Sequence, residues 1–272
     1  MKPSHRMELA VAARRPHFRS LAPREHGAYG QLALPMVVAL GGGAPGSSAL
    51  LLAGGAWAFF LAHEPVLVLL GRRGERARTE HRGRAVRRLL LLALAGVALG
   101  VVGLLLASPA VRWAAVPVAG LGIAFGAVLA AGAERSASGE VLAAVTLAGA
   151  CFPMALASGV DGATAARAWL VWSLGFAAIA FPVRNIGAHR SVTAPASGRL
   201  LPAAGVLALA LVLRGTVLGW LELVALAPLV LASACLAITR PEPRRLRQIG
   251  WAIVGATVCT SVVLLLAARR SA

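Results

Sequence analysis

Three short stretches of this chain carry side chains able to do chemistry. The first is PREHGAYGQLALP (23–35), where Arg24, Glu25 and His26 stand just before Tyr29 and Gln31. A cation, a carboxylate, an imidazole and a phenol at one helix entrance could orient a polar headgroup. They could also share a proton, with His26 or Glu25 serving as acid or base. The same set suits an interfacial belt that only anchors a span. The second stretch is His63–Glu64, in AHEPVLVLLG near the end of a long apolar run, with Pro65 following. An ionisable group in such a run is costly, so it is a candidate for function. Glu64 could be a metal ligand, a proton acceptor or the partner of an arginine on another helix. In the plainer reading it is interfacial and pairs with the neighbouring Arg72 or Arg73. The third stretch, FPVRNIGAHRSVTAPASGR (181–199), offers Arg184, Asn185, His189 and Arg190. Two guanidinium forks there would suit a phosphate or diphosphate, or they set topology alone. Glu222 reads as a group near the end of its span.

Other chemistries are not indicated. There is no Walker A loop, no GxGxxG after a strand, no HExxH and no plausible Ser-His-Asp set. Cys151, Cys235 and Cys259 all lie inside apolar runs without a CxxC pair, so they read as small core residues. Net charge is +17, from 27 basic and 10 acidic residues. On a soluble protein that would suggest nucleic acid, but no aromatic residues interleave these arginines, so no nucleic-acid partner is expected.

The elements that must position these groups are membrane helices. Only 14% of residues are charged, against roughly a quarter in a soluble domain. No polar stretch is long enough to build a soluble catalytic domain. The apolar runs predict an all-α, polytopic bundle of nine spans, near 28–43, 48–70, 88–107, 111–132, 140–158, 165–184, 199–214, 217–238 and 249–268. Residues 1–23 are expected to form a basic cytoplasmic arm, and 24–272 a single transmembrane domain. The first and seventh spans are short and contain Pro35 and Pro202. GxxxG spacings at Gly96/Gly100 and Gly122/Gly126 predict close helix packing.

Arginine placement gives an orientation. With the N-terminus in the cytoplasm, 22 basic residues fall on the cytoplasmic side, eight of them in the loop GRRGERARTEHRGRAVRR (71–88). Arg112, Arg167, Arg214 and the pair Arg269–Arg270 fall on the other. This asymmetry obeys the positive-inside rule, with the tail pair dissenting. The expected location is the cell (inner) membrane, with membrane lipids as surroundings.

Two resemblances follow from these residues. The nine-span layout, with polar loops after the second and sixth helices, resembles the UbiA superfamily of intramembrane prenyltransferases, in particular its menaquinone-branch members. RNIGAHR (184–190) is similar to their second-loop motif, and SGEVLAAVTLAGACFPMALASG (138–159) to their entry into the fifth helix. The resemblance implies a prenyl diphosphate, a Mg²⁺ ion and transfer to an acceptor. However, Asn185 and His189 stand where that family has aspartates, and the first loop carries only Glu75 and Glu80. That leaves Glu64 as the one plausible metal ligand for Mg²⁺. A narrower resemblance is to the YwiC-like integral membrane proteins, carried by PREHGAYGQLALP, by GRRGERAR (71–78) and by Val183–Arg184. Together these imply a cytoplasm-facing cavity for a prenyl lipid, prenyl diphosphate or quinone-like ligand. Its lining would be Arg24, Glu25, His26, Tyr29, His63, Glu64, Arg184, Asn185, His189 and Arg190. Under that reading the chain is a divergent UbiA-like prenyltransferase, a non-catalytic lipid-binding or assembly protein, or, third, a transporter. Oligomeric state is not legible.

Overall fold

The computed structural model describes residues 26–187, 196–239, 241–242 and 245–271. Among them the chain is helical throughout, without strands. The helices are α1 (His26–Gly41), α2 (Ser47–Leu69), α3 (Glu75–Leu105), α4 (Pro109–Ala131), α5 (Ala137–Gly149), α6 (Cys151–Ala157), α7 (Gly162–Gly187), α8 (Ala196–Arg214), α9 (Trp220–Thr239) and α10 (Leu246–Ser271). α5 and α6 are broken only at Ala150 and together make one 21-residue span. Seven helices among the described residues are long and apolar enough to cross a membrane. The two shorter apolar helices, Gly27–Gly41 and Leu200–Arg214, coincide with the spans expected to be short. The chain is therefore a multi-pass membrane protein.

Local signals set the helix ends. Ser136 caps α5 by accepting the Gly139 N–H at 3.0 Å. Asp161 caps α7 by accepting the N–H groups of Ala163 and Thr164, each at 3.0 Å. Hydrogen bonding from Thr164 holds the Asp161 carboxyl below its ordinary range. Pro109 starts α4, where its missing N–H costs nothing.

One expectation is corrected. The arginine run 71–88 is not a loop: α3 begins at Glu75 and absorbs most of it. Arginine, glutamate and alanine are good helix formers. Arg76 also binds Glu80 across one turn at 2.6 Å, and Arg78 lies 3.5 Å from Glu75. A second correction concerns glycine. The Gly96/Gly100 seam is real: a Cβ on Gly55 would meet the backbone of Gly96 and Gly100, and one on Gly96 would meet the Phe59 ring. The backbones of α2 and α3 thus approach closely, and Ser48 Oγ donates to the Gly103 carbonyl at 2.9 Å. Gly122 and Gly126 of α4 have open space beside them instead. Among the described residues no helix packs there, because that face of α4 points out of the bundle, with Ile123 76% exposed.

The core is centred on α7, which packs against α5, α8 and α9. Trp172 and Phe176 are buried and stack at 5.3 Å, and Leu229 fills the space beside Gly175. Buried hydroxyls tie the helices together. Ser233 donates to the Ala178 carbonyl at 2.6 Å, and Thr260 to that of Ala225 at 2.7 Å.

Candidate functional site

The sequence places its most costly ionisable group, Glu64, five residues before the end of α2. The chain then reverses. Gly71 adopts φ 73°, its N–H bonds to the Val68 carbonyl and that of Arg72 to the Leu67 carbonyl. This helix-ending motif suits glycine, which accepts the left-handed conformation without Cβ strain. The reversal folds Arg72 and Arg73 back towards the helix they have just left. Arg73 reaches Glu64 with both arms of its fork, Nε to Oε1 at 2.9 Å and Nη2 to Oε2 at 2.6 Å. Glu64 is 2% exposed, so this is a buried bidentate ion pair. Of the partners open to Glu64 in the sequence, the neighbouring Arg73 is the one it takes. Arg72 diverges: it lies over Gly132 and donates to the Ala130 carbonyl at 3.4 Å, closing the end of α4.

One turn back along α2 lies an aromatic cluster. The Phe60 ring meets Tyr29 of α1 edge-on at 4.9 Å and Trp57 at 5.7 Å, and Tyr29 and Trp57 are 6.2 Å apart. The pair Phe60 and Glu64 has i, i+4 spacing, so the aromatic layer and the ion pair are stacked along one face of α2. His63, the adjacent residue, instead stacks on Phe125 of α4 at 5.9 Å. Sequence reading singled out Tyr29, His63 and Glu64, and offered Arg73 with Arg72 as partners of Glu64, but passed over Trp57, Phe60 and Phe125. The 57/60/64 spacing was the available signal, since it puts two aromatic rings beneath a carboxylate.

The other expected site residues divide into two groups. Arg184 is half-buried and Asn185 exposed near the end of α7. Among the described residues, no hydrogen bond, ion pair or ring contact joins either one to Glu64, Arg73 or Tyr29. Arg24, Glu25, His189 and Arg190 lie outside the described residues, as does the side chain of His26. Glu222 caps α9, accepting the Gly219 N–H at 3.0 Å, and faces Arg167 at 3.5 Å, so it serves the fold.

The donor set was tested against Mg²⁺. Among the described residues no three His, Cys, Asp or Glu side chains lie close enough to hold a metal ion. Both oxygens of Glu64 are already engaged by Arg73. A hard cation wants several oxygen ligands, and a carboxylate neutralised by a guanidinium is a poor one. The described residues therefore do not fit a Mg²⁺ site at Glu64, and no chemical step is derived through one.

Residues 22–156 match the family model described as YwiC-like protein. That span takes in the aromatic cluster and the Glu64–Arg73 pair and stops short of Arg184. No curated protein and no solved structure matches the chain.

Proposed function

The chain belongs to the YwiC-like family through residues 22–156, and from that premise we propose that it binds an amphipathic ligand with an apolar tail and a polar or anionic head. A prenyl lipid, a prenyl diphosphate or a quinone has this chemistry. The observation that carries the reading is the layering on α2. A cluster of three aromatic rings lies one turn below a buried, bidentate ion pair. Aromatic faces accept a flat ring or an isoprenoid chain, while a guanidinium at the same end can share its donors with an oxygen-rich head. The arm and arginine-rich end would face the cytoplasm of a cell (inner) membrane protein.

Binding without metal-dependent transfer is the form best supported, because Glu64 is committed to Arg73. Prenyl transfer is the second reading. What favours it is Arg184, half-buried and outside any ion pair among the described residues, which would suit the leaving diphosphate. Thermal unfolding of the purified protein separates the two, since a ligand that prefers the folded state raises apparent stability. We expect a short-chain quinone or a prenyl diphosphate to raise the Tm equally with and without Mg²⁺. A shift that requires both diphosphate and Mg²⁺ would instead support transfer. No shift with any of these compounds would remove the ligand-binding reading.

A further inference from the structure

We propose that a narrow cleft between α1, α6, α7 and α10 holds one tightly bound water molecule, which accepts a hydrogen bond from the indole N–H of Trp172 and donates one to the main-chain carbonyl of Gln31. The site is separate from the aromatic cluster on α2. Its first sign is an unmatched donor. Trp172 is fully buried in α7, and its Nε1 has no hydrogen-bond partner. Three residues earlier on the same helix, the Trp169 indole donates to the Val145 carbonyl at 3.3 Å. The buried hydroxyls of Ser233 and Thr260 also find carbonyls. Among the described residues one other buried side-chain atom lacks a partner, Glu134 Oε2, and it belongs to a half-buried residue between α4 and α5. A buried donor with no partner is costly, and lipid tails offer it none.

Space for a partner lies beside it. Trp172 lines a cleft whose other walls include Pro35 and Ala39 of α1, Ala155 of α6, Ala168 of α7 and Ala268 of α10. Along α7 the lining runs from Thr164 to Trp172, about 12 Å at 1.5 Å per residue, so Trp172 stands at its deep end. The space open to the centre of a water-sized sphere is about 10 Å³. That is room for one water and for nothing larger. A purely apolar cavity stays dry, whereas one bordered by two or more polar groups takes up water.

The second polar group comes from α1. Helix geometry points the Gln31 carbonyl at residue 35, and Pro35 has no N–H to give it. Pro35 is itself buried and lines the cleft, so the freed carbonyl borders the same space as Trp172. Ordered water is one of the ways in which a backbone group released by proline is satisfied inside a membrane helix. One molecule answers both needs: its oxygen accepts from Nε1, and one of its hydrogens goes to the carbonyl. The water thereby ties α1, which carries Tyr29, to the core helix α7.

The test uses the full chain in detergent micelles with isotope-labelled tryptophan, so that each indole N–H gives its own NMR signal. Trp172→Phe identifies the signal of Trp172 by its loss. In the parent protein that indole proton should show a direct cross-peak to water. Ala168→Val and Ala39→Val fill the cleft from two different helices; each should keep the Trp172 signal and lose the cross-peak. A Trp172 signal with no water cross-peak in the parent would overturn the proposal. So would a cross-peak to lipid or detergent chain protons in its place, or a water cross-peak that survives in a folded valine variant. The parent spectrum decides the matter even if neither valine variant folds.

Discussion

Glu64 and Arg73 form a buried pair, and its energetics differ from those of an exposed ion pair. Removing one member of a buried pair strands a charge, at a cost of about 3–5 kcal/mol, whereas replacing both by apolar residues can be near neutral. Arg73 keeps some contact with solvent, its side chain 21% exposed, while Glu64 keeps almost none. The loss should therefore be asymmetric. Arg73→Ala, which leaves the carboxylate stranded, should lower stability by about 3 kcal/mol. Glu64→Gln should cost less, and the double variant Glu64→Leu/Arg73→Leu should recover most of the loss. Thermal unfolding of the three variants gives the coupling directly, and simple additivity would mean that the pair contributes nothing as a unit. The partner choice was only half legible in the sequence. The apolar run around Glu64 showed that a partner was needed, and both neighbouring arginines were in reach. What selected Arg73 over Arg72 was the backbone reversal at Gly71, a three-dimensional feature that spacing alone does not decide.

At the scale of elements, apolar run length was a good guide and local charge a poor one. The nine expected spans correspond to the helices α1 to α10, with α5 and α6 forming one of them, and the two shortest were foreseen. The start of α3 was misread, because a run of arginines looks like a loop if charge is taken to mean solvent. Helix propensity and the i, i+4 pairing of Arg76 with Glu80 point the other way. Glycine spacing has the opposite weakness: Gly96/Gly100 and Gly122/Gly126 are indistinguishable as patterns, and only the neighbouring helix decides which one is a seam. This contrast yields a prediction. Gly96→Leu must push Phe59 and α2 away from α3, at a cost of about 1–3 kcal/mol from overpacking. Gly122→Leu enters open space and should be neutral or slightly stabilising, since glycine is a poor helix former. Melting temperatures of the two variants check it. Equal destabilisation would mean that the face of α4 is covered by something beyond this chain.

For the whole molecule, the arginines tell two different stories at the two ends. At the sparse end, Arg112 donates to the Leu104 and Leu105 carbonyls at the end of α3, and Arg269 to that of Gly41 at the end of α1. Arg167 faces Glu222, and Arg214 lies over the Trp220 ring at 3.9 Å. These arginines are occupied in holding helix ends. That gives Arg269, one of the tail pair that seemed to break the topology rule, a structural reason to be there. At the rich end, residues 72–88 hold eight arginines and two glutamates, and Arg73 is paired with Glu64. The candidate site was legible in part. Tyr29 and Glu64 stood out as rare residue types, whereas Trp57 and Phe60 looked like ordinary apolar core until the fold brought α1 against them. Arg184 and Asn185 stand on a different helix with no contact to that cluster among the described residues, and Arg24, Glu25, His189 and Arg190 lie outside them, so the proposed ligand site takes its focus from α1 and α2.

The most direct test of that focus is photoaffinity labelling of the purified protein with a quinone or isoprenoid carrying a photoreactive group, followed by peptide mapping. The account predicts labelling within α2 at or beside Trp57 and Phe60, competed by unlabelled ligand and indifferent to Mg²⁺. Labelling confined to α7 around Arg184, or labelling that no competitor reduces, would contradict it.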